Sequence, residues 1–352
     1  MVRLDELCII NMGQSPDSST YNEDGNGLPF FQGNADFGVT YPVVRMWCSE
    51  PTKRAQIDDI LISVRAPIGA LNIANCECCI GRGLAALTVN KNSCIQKYLW
   101  YALSNKVAEL NSKGTGSTFK AINKKILAET EIPLPPLDEQ RKIAAVLDKV
   151  SSLIAKRRQQ LDKLDELVKA RFVEMFGDPI YNSKELPTEQ GINFFKLSNG
   201  KFLSESKRFS SGIPAYGGNG VSWYTDDSMI NNNTLVVGRV GFQSGNVRFV
   251  EGPLWVTDNA MYVSDYDTQK YDLLFLCVLM EHINFTRFQD AGDLKKITQK
   301  PFMNMEYIRP SLQEQHKYIF FVKQTEKTKI TISKSLEKLE TLKKALMQEY
   351  FG

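Results

Sequence analysis

The sequence predicts an α+β protein in which one design occurs twice: a β-rich globular domain followed by a long α-helix, with the two helices antiparallel in a coiled coil. Three observations predict this fold. Motifs recur at a constant offset of half the chain, two long stretches carry heptad spacing, and the segments before them contain short β-type runs. A duplicated chain tends to reproduce closed two-fold symmetry, which favours the antiparallel arrangement.

The repeat is clearest at the ends of the two predicted helices. Residues 161–177 and 336–352 are identical at nine of 17 positions, and both segments end in Phe-Gly. The same offset, called here the repeat offset, aligns Leu-Asp-Glu-Gln at 137–140 with Leu-Gln-Glu-Gln at 312–315. Helical composition alone would not place Phe-Gly at both ends, so the chain is a tandem duplication.

The duplication also extends into the globular domains. Lys120 aligns with Lys295 at the repeat offset, whereas the similar segments 27–34 and 212–219 need a longer one. The first copy therefore carries about ten extra residues before Arg65, a difference that surface loops tolerate.

The globular domains, 1–136 and 178–311, have short apolar runs separated by Gly, Asn and Asp. Such runs are typical of β-strands. Four elements follow from the pattern: strands at 60–64 and 234–237, and short helices around 96–104 and 271–282.

A long helix is predicted at 137–177. Residues 138–175 contain no proline or glycine, and their apolar positions step by four and three from Ile143 to Met175. Gly177 supplies a stop signal. At 1.5 Å per residue the 38 residues without proline or glycine extend over about 57 Å, which is too long for one domain to cover their apolar stripe.

A second long helix is predicted at 312–352. Ser311 and Glu314 form a capping box at its start. The economical solution is that the apolar stripes of the two helices pack on each other. Arg157 and Thr325 lie on the predicted seams, which keeps open an alternative with two independent domains and long solvated helices.

The composition limits the classes of function. The formal net charge is only +3, so a nucleic-acid interface must come from the arrangement of charges. No apolar run approaches the roughly 18 residues of a membrane span, and the charged start lacks a signal-peptide pattern, so we expect a cytoplasmic protein with no membrane partner. Cys76, Cys78 and Cys79 have no second ligand cluster, and His282 and His316 are the only histidines. We therefore expect reduced thiols, no metal and no cofactor.

Motifs in both copies resemble a known family. In the first copy they are Gly-Gln-Ser-Pro at 13–16, Asp-Ile-Leu-Ile-Ser at 59–63 with Arg65, Gly-Ser-Thr-Phe-Lys-Ala-Ile at 116–122, and Ile-Pro-Leu-Pro-Pro-Leu-Asp-Glu-Gln at 132–140. In the second copy they are Gly-Ile-Pro-Ala-Tyr-Gly-Gly-Asn-Gly at 212–220 and Leu-Gln-Glu-Gln at 312–315. Together they resemble the specificity subunits of Type I restriction-modification systems.

The resemblance implies a non-catalytic protein with two target-recognition domains, 1–136 and 178–311, each reading one half of a bipartite target in double-stranded DNA. The conserved helices, 137–177 and 312–352, would set the spacing of the half-sites. The family also implies partners: two modification subunits that methylate adenine, and a restriction subunit that translocates and cleaves DNA.

Candidate DNA contacts follow from the chemistry of readout, in which Arg or Lys reads guanine and Asn or Gln reads adenine. In the first domain the candidates are Gln32, Asn34, Arg65, Arg82, Lys113, Ser117, Thr118 and Lys120. In the second they are Tyr216, Asn219, Tyr224, Arg239 and Lys295. We expect Arg65 and Arg239 to occupy corresponding places after equivalent strands. Alternatively, the two arginines are structural, and the Gly-Asn pairs ending at Asn34 and Asn219 form turns.

Enzyme classes find little support in the sequence. There is no glycine-rich phosphate loop for ATP-driven translocation and no methyl-transfer motif. Asp178 with Glu185 is too slight for a nuclease metal site, and Asp226 with Asp227 fits a turn better. Two other interpretations stay open: the recognition subunit of a related system that cuts on both sides of a bipartite site, and a duplicated coiled-coil scaffold that binds protein only.

Overall fold

The computed structural model describes residues 1–116, 120–292 and 294–352. The chain divides into two compact units: unit 1 is Met1–Arg158 with Lys334–Gly352, and unit 2 is Gln159–Ser333. Each unit therefore contains one globular part and a portion of both long helices. In the described ranges no helix combines the length and apolarity needed to cross a membrane.

The long helices span Leu137–Phe176 and Leu312–Phe351. The globular part of unit 1 contains the helices Leu4–Leu7, Gln96–Asn105, Val107–Lys113 and Lys124–Ala128. Its strands are Val2–Arg3, Cys8–Met12, Tyr21–Asn22, Leu28–Phe31, Trp47–Cys48, Arg54–Ala55, Ile60–Ser63, Leu71–Ile73, Cys78–Ile80, Leu84–Val89 and Glu131–Ile132. Two 3-10 turns complete it, Ser18–Thr20 and Asn34–Asp36.

Unit 2 contains the helices Leu273–Ile283 and Lys300–Asn304. Its strands are Thr188–Gln190, Phe195–Asn199, Ile213–Gly217, Gly220–Thr225, Thr234–Gly238, Val247–Val250, Trp255–Val256, Ala260–Tyr266 and Glu306–Ile308. Its 3-10 turns are Gly191–Asn193, Glu205–Lys207 and Phe285–Phe288. The two strands and two short helices expected from the sequence are all present, with small differences at their ends.

Each unit contains a four-stranded antiparallel sheet with the same topology. The strand order in unit 1 is Cys8–Met12, Leu84–Val89, Ile60–Ser63, Leu71–Ile73, and in unit 2 it is Phe195–Asn199, Ala260–Tyr266, Thr234–Gly238, Val247–Val250. Ile60 and Ile62 pack in one core, and Leu61 packs in another. Because consecutive side chains leave a strand on opposite faces, a sheet covered on both faces produces this uninterrupted apolar run.

A smaller sheet in each unit preserves a second feature of the repeat. Phe31 pairs in parallel with Ile80, and Tyr216 pairs in parallel with Val256. Phe31 and Tyr216 are matching residues in the alignment of segments 27–34 and 212–219. Together with the four-stranded sheets, this confirms the internal repeat in an α+β fold.

The two long helices run antiparallel where they meet in each unit. In unit 1, Phe351 packs in the core that contains Ile143, and Arg158 forms an ion pair with Glu340 at 2.6 Å. Rising residue numbers on one helix thus face falling numbers on the other. The expected antiparallel coiled coil is confirmed within unit 1.

Unit 2 shows the same helix pairing. Asp165 forms an ion pair with Lys329 at 2.7 Å, and Phe176 lies edge-on to Tyr318 with ring centroids 5.7 Å apart. Thr325 is buried in the seam, and its hydroxyl donates to a carbonyl one turn earlier in its own helix, at 3.0 Å. A polar seam residue is tolerated here because its hydrogen bond is made within the helix.

A buried glutamine fixes the start of the first long helix. The Oε1 of Gln140 accepts a hydrogen bond from the Ile95 amide at 2.8 Å, and Nε2 donates to the carbonyls of Ser93 at 3.1 Å and Pro135 at 2.8 Å. Ile95 precedes the first turn of the helix Gln96–Asn105. The side chain therefore joins two helix starts through main-chain atoms alone. We call this arrangement the glutamine lock.

Unit 2 contains the equivalent glutamine lock. The Oε1 of Gln315 accepts from the Asp272 amide at 2.9 Å, and Nε2 donates to the carbonyls of Lys270 at 2.8 Å and Pro310 at 2.9 Å. Both glutamines are fully buried. The shared Glu-Gln of the two repeats thus has a structural cause, because each amide satisfies three main-chain groups that burial would otherwise leave without partners.

The expected capping box of the second long helix is present. The Glu314 carboxylate accepts from the Ser311 amide at 3.0 Å, and the Glu314 amide donates to the Ser311 hydroxyl at 3.3 Å. The Ser311 hydroxyl also donates to this carboxylate at 2.7 Å, and the two hydrogen bonds that the carboxylate accepts from Ser311 lower the pKa of Glu314, because they stabilise its charged form. The helix begins at the residue after Ser311, as the motif indicates.

The seven cysteines are free thiols, and all except Cys76 are buried. Burial raises the pKa of Cys78 to about 12, which makes this thiol a poor nucleophile near neutral pH. Within the described ranges, no three His, Cys, Asp or Glu side chains are grouped so that they could hold a metal ion.

Candidate nucleic-acid interface

Unit 1 has a concave site that gathers four of the predicted contact residues. A cavity of about 370 Å³ is lined by Gln32, Asn34, Arg65 and Arg82, and also by Arg45. These residues come from four separate segments of the chain. Arg45 was not predicted from the sequence, because nothing in its own segment indicates that the chain returns to this site.

Close backbone packing builds the floor of this site. The Gly83 amide donates to the Gln32 carbonyl at 3.1 Å, and a Cβ on Gly83 would lie 2.5 Å from that oxygen. Only glycine permits this approach without displacing the chain. The Asp36 carboxylate accepts from the Gln32 amide at 2.8 Å and from the Gly33 amide at 3.3 Å. The loop that presents Gln32 and Asn34 is therefore held on both sides.

The charge of the site is positive. Arg45, Arg65 and Arg82 make no ion pair with any carboxylate of the described ranges. Asp36 is the acidic residue of the lining, and its carboxylate is already bonded to backbone amides. Three guanidinium groups around one cavity favour an anionic ligand, and their planar donors match phosphate oxygens or a guanine edge.

The remaining unit 1 candidates are placed differently. Arg65 forms a β-bridge with the residue after Lys120, and the Lys120 carbonyl accepts from the Ala66 amide at 3.1 Å, so Lys120 lies beside the Arg65 segment. Lys113 forms an ion pair with Glu109 at 2.6 Å, which neutralises much of its charge locally. Ser117 and Thr118, also predicted contacts, lie outside the described residues.

In unit 2, two predicted residues, Asn219 and Arg239, lie on backbone segments that pack closely together. Asn219 lies in the turn between the strands Ile213–Gly217 and Gly220–Thr225. The adjacent Gly218 is so close to the next segment that a Cβ there would lie 2.8 Å from a carbonyl oxygen of Val240. Arg239 immediately precedes that carbonyl in the chain.

Two further cations border the same place. The Lys295 carbonyl accepts from the Gly241 amide at 2.8 Å, which fixes Lys295 next to the Arg239 segment. Arg248, which was not predicted from the sequence, directs a guanidinium nitrogen to the Gly218 carbonyl at 3.5 Å. The described part of unit 2 thus has a polar, cationic site of its own at this loop cluster.

The two tyrosine candidates do not join this cluster in the same way. Tyr216 is half-buried and packs against the apolar core that contains Val236, so part of its role is structural. Tyr224 pairs with Pro214, which places it at the far end of the hairpin from Asn219. The structure therefore does not bring Tyr224 together with Asn219 and Arg239.

One expected equivalence is wrong. Arg65 and Val240, rather than Arg65 and Arg239, form equivalent β-bridges, to Ala121 and Lys296 respectively. Arg239 instead corresponds to Val64. The Arg239 carbonyl accepts from the Ile297 amide at 3.0 Å, and the Val64 carbonyl accepts from the equivalent Ile122 amide at 2.9 Å. The equivalent strands end at the same point, but the arginine follows one residue later in the first copy. Lys120 and Lys295 do hold equivalent places.

The acidic residues considered for a nuclease have local roles. The Asp178 carboxylate accepts from the amides of Ile180 at 2.7 Å and Tyr181 at 3.1 Å, as in a turn. Asp227 forms an exposed ion pair with Lys207 at 3.4 Å. These contacts fit turn formation and surface pairing.

Two copies of the same type of site suggest a duplicated binding domain, and comparison with known proteins identifies it. The family model of the Type I restriction modification DNA specificity domain matches residues 1–166 and 176–344. The chain belongs to this family. The specificity domain occurs twice, in agreement with the repeat found in the sequence and in the sheets.

Individual relatives match parts of the chain. The putative type I restriction enzyme MjaX specificity subunit of Methanocaldococcus jannaschii is 45% identical over 160 residues, which is 46% of this chain and 38% of the relative. The crystal structure of the HsdS subunit from Thermoanaerobacter tengcongensis is 54% identical, covers 44% of this chain and 37% of that chain, and has a TM-score of 0.41. The chain thus spans about two fifths of the length of each.

A third solved structure aligns with nearly the whole of this specificity-domain chain. The crystal structure of a Type-I restriction-modification system S subunit from M. genitalium covers 99% of this chain and 95% of that chain, with a TM-score of 0.62 and 18% identity. The fold is therefore shared over both repeats, although most side chains differ.

Proposed function

We propose that this chain is the DNA-specificity subunit of a Type I restriction-modification complex, a non-catalytic protein of the cytoplasm that reads a bipartite duplex target. Two modification subunits would methylate adenine, and a restriction subunit would translocate and cleave DNA. The globular domains 1–136 and 178–311 would each read one half-site. The helices 137–177 and 312–352 would set the gap between the half-sites and dock the modification subunits.

The observation that carries this proposal is the arginine site of unit 1. It places Arg45, Arg65 and Arg82 around one cavity with Gln32 and Asn34. Guanidinium groups bind phosphates and guanine, and side-chain amides read adenine, so the same concave surface holds donors for backbone contact and for sequence readout. Unit 2 supports the proposal with Asn219, Arg239, Lys295 and Arg248 around one loop cluster, although its side chains differ.

The difference between the two sites predicts an asymmetric target. Unit 1 presents three arginines with a glutamine and an asparagine, whereas unit 2 presents two arginines, a lysine and an asparagine. Because readout depends on which side chains reach the base edges, the two half-sites should differ in sequence.

The spacing role of the long helices has a separate test. Insertion of one heptad in both long helices should lengthen the gap between the half-sites, and an unchanged gap would contradict the spacing role.

The direct test is selection from a library of random-sequence DNA duplexes by the full chain. We expect two conserved half-sites separated by a fixed gap. Arg65→Ala with Arg82→Ala should erase sequence preference in one half-site and lower the dependence of affinity on salt. Arg54→Ala is the matched control in unit 1, because Arg54 is exposed but forms an ion pair with Glu77. A library that stays random after selection would leave the protein-binding scaffold as the better interpretation.

The proposed docking of the modification subunits rests on apolar side chains that the long helices leave exposed. In unit 1 these are Val146, Leu153 and Leu342, and in unit 2 they are Leu167, Val173, Phe320 and Ile330. Val146 and Leu153 are seven residues apart and therefore share one helix face. An exposed apolar stripe of this kind fits partner helices better than it fits DNA.

The docking role has its own test. Leu153→Glu should prevent co-purification with co-expressed modification subunits and leave DNA selection by the chain unchanged. Ser152→Glu, which adds the same single negative charge at an exposed polar position beside Leu153, is the matched control. Retained co-purification of the Leu153→Glu protein would place the docking surface elsewhere.

A further inference from the structure

One exposed aromatic side chain in unit 2 has no packing role. Phe242 is 86% exposed, and the residues around it in the loop are Gly241, Gln243 and Ser244. A phenylalanine this exposed contributes almost nothing to the core. The side chain is therefore available to contact a ligand.

The loop that carries Phe242 is firmly held. Gln289 donates from Nε2 to the carbonyls of Phe242 at 3.1 Å and Ser244 at 2.6 Å. The Gly245 amide donates to the Gly238 carbonyl at 2.8 Å, which closes the base of the loop. A rigid loop presents its tip without a large loss of conformational entropy on binding.

The neighbours of this loop are cations of the proposed DNA-reading site. Arg239 precedes Phe242 closely in the chain, and the Gly241 amide is bonded to the Lys295 carbonyl at 2.8 Å. Neither Arg239 nor Lys295 has an ion pair with a carboxylate in the described ranges. An apolar tip with cations on the adjoining segments matches a duplex, which offers phosphates beside a stack of bases.

We propose that Phe242 is a specificity-determining wedge that enters the duplex at the half-site read by unit 2 and contacts or unstacks one base step. This inference rests on the proposed DNA-binding function. Aromatic and aliphatic side chains that enter base steps select flexible steps, so the residue would impose sequence preference without base hydrogen bonds. In the first copy the repeat offset puts Pro67 at this place, so only the second copy has an aromatic side chain there.

The test uses the duplex that the wild-type full chain selects from a random library. Phe242→Ala should lower the affinity for that duplex about 10- to 100-fold, the range of a lost base–aromatic contact. Its own selection should lose information at one or two adjacent positions of a single half-site. With 2-aminopurine placed at those positions, binding of the wild type should raise fluorescence through unstacking, and binding of Phe242→Ala should not.

Two variants keep the result interpretable. Phe242→Leu preserves an apolar tip and should retain part of the affinity and of the fluorescence change. Phe202→Ala removes a phenylalanine that is also 66% exposed, on another segment of unit 2, and should leave DNA selection unchanged.

The outcomes separate the wedge from the proposed function. If the wild type selects no sequence, the DNA-reading function fails, and the wedge fails with it. If the wild type selects a bipartite sequence and Phe242→Ala selects the same one with equal affinity, the wedge alone is overturned. Loss of binding to modification subunits with unchanged DNA selection would likewise overturn it, because Phe242 would then serve a protein contact.

Discussion

Alanine substitution of the phenylalanine that ends each long helix tests how the helices are anchored in their units. Phe176 and Phe351 stand at equivalent places of the repeat, in the Phe-Gly shared by both copies. Phe176 packs in the core of unit 2, and Phe351 packs in the core of unit 1. Each substitution should therefore destabilise the unit in which the side chain is buried.

The structure sets the relative size of the two effects. Phe176 is 1% exposed and contacts the rings of Phe172, Phe275 and Tyr318, with centroids 5.2, 5.1 and 5.7 Å away. Phe351 is 3% exposed and has one ring neighbour, Tyr98, at 5.3 Å. Buried Phe→Ala changes cost about 3–5 kcal/mol. We expect about 4–5 kcal/mol for Phe176→Ala, because its three ring contacts add to the loss, and about 3 kcal/mol for Phe351→Ala.

Urea unfolding gives the loss of stability, and hydrogen–deuterium exchange assigns it to a unit. Phe176→Ala should speed exchange in the helix Leu273–Ile283 of unit 2, and Phe351→Ala should do so in the helix Gln96–Asn105 of unit 1. Phe320→Ala, an exposed position on the second long helix, should change the free energy of unfolding by less than about 0.5 kcal/mol. If Phe176→Ala were as mild as that control, the assignment of the helix end as an anchor would be refuted.

Three further outcomes are expected. Gln140→Ala and Gln315→Ala should each lower the free energy of unfolding by about 3 kcal/mol in urea titrations, because buried main-chain groups lose their partners; a loss no larger than at an exposed glutamine would contradict the lock. Burial lowers the pKa of His282 from 6.5, so the folded state opposes its protonation; stability present above pH 6.5 should fall as the pH drops through the lowered pKa. In the His282→Gln protein the urea midpoint should depend less on pH between 7.5 and 5. An unchanged pH dependence would show that other groups cause it. Arg45→Ala and Arg82→Ala should each weaken binding to the selected duplex at least about 10-fold in fluorescence anisotropy, with a smaller salt dependence, while equal affinities would exclude contact.

The elements that the sequence predicted well are those with a periodic or repeated signal. Heptad spacing placed the long helices, and the repeat offset placed Lys120 and Lys295 at equivalent carbonyl hydrogen bonds. The same offset aligned Gln140 with Gln315, whose matching hydrogen bonds only the structure explains. Repetition is informative because two copies of one fold must satisfy the same buried main-chain groups.

The candidate site was predicted less completely. Gln32, Asn34, Arg65 and Arg82 do line one cavity, but Arg45 reaches it through an irregular segment whose path has no periodic signal. The loops that form such sites vary in length and direction, and their residues are positioned by tertiary hydrogen bonds.

The mistaken match of Arg65 with Arg239 has a related cause. The sequence suggested it because both arginines follow a strand, whereas register is defined by backbone hydrogen bonds. A shift of one residue moves a side chain to the other side of an extended segment. Val240, at the true counterpart of Arg65, carries no charge, so the first copy alone presents a cation at that position.

The glutamine lock has a consequence for how such proteins can diverge. Its amide contacts only main-chain oxygen and nitrogen atoms, so it makes no demand on the identity of the side chains at residues 93, 95, 270 and 272. A foreign globular segment that preserves this backbone path could be grafted onto an existing helix without redesign of the junction. The same junction therefore accepts different globular domains. Recombination could exchange the DNA-reading domain while the long helix stays the same.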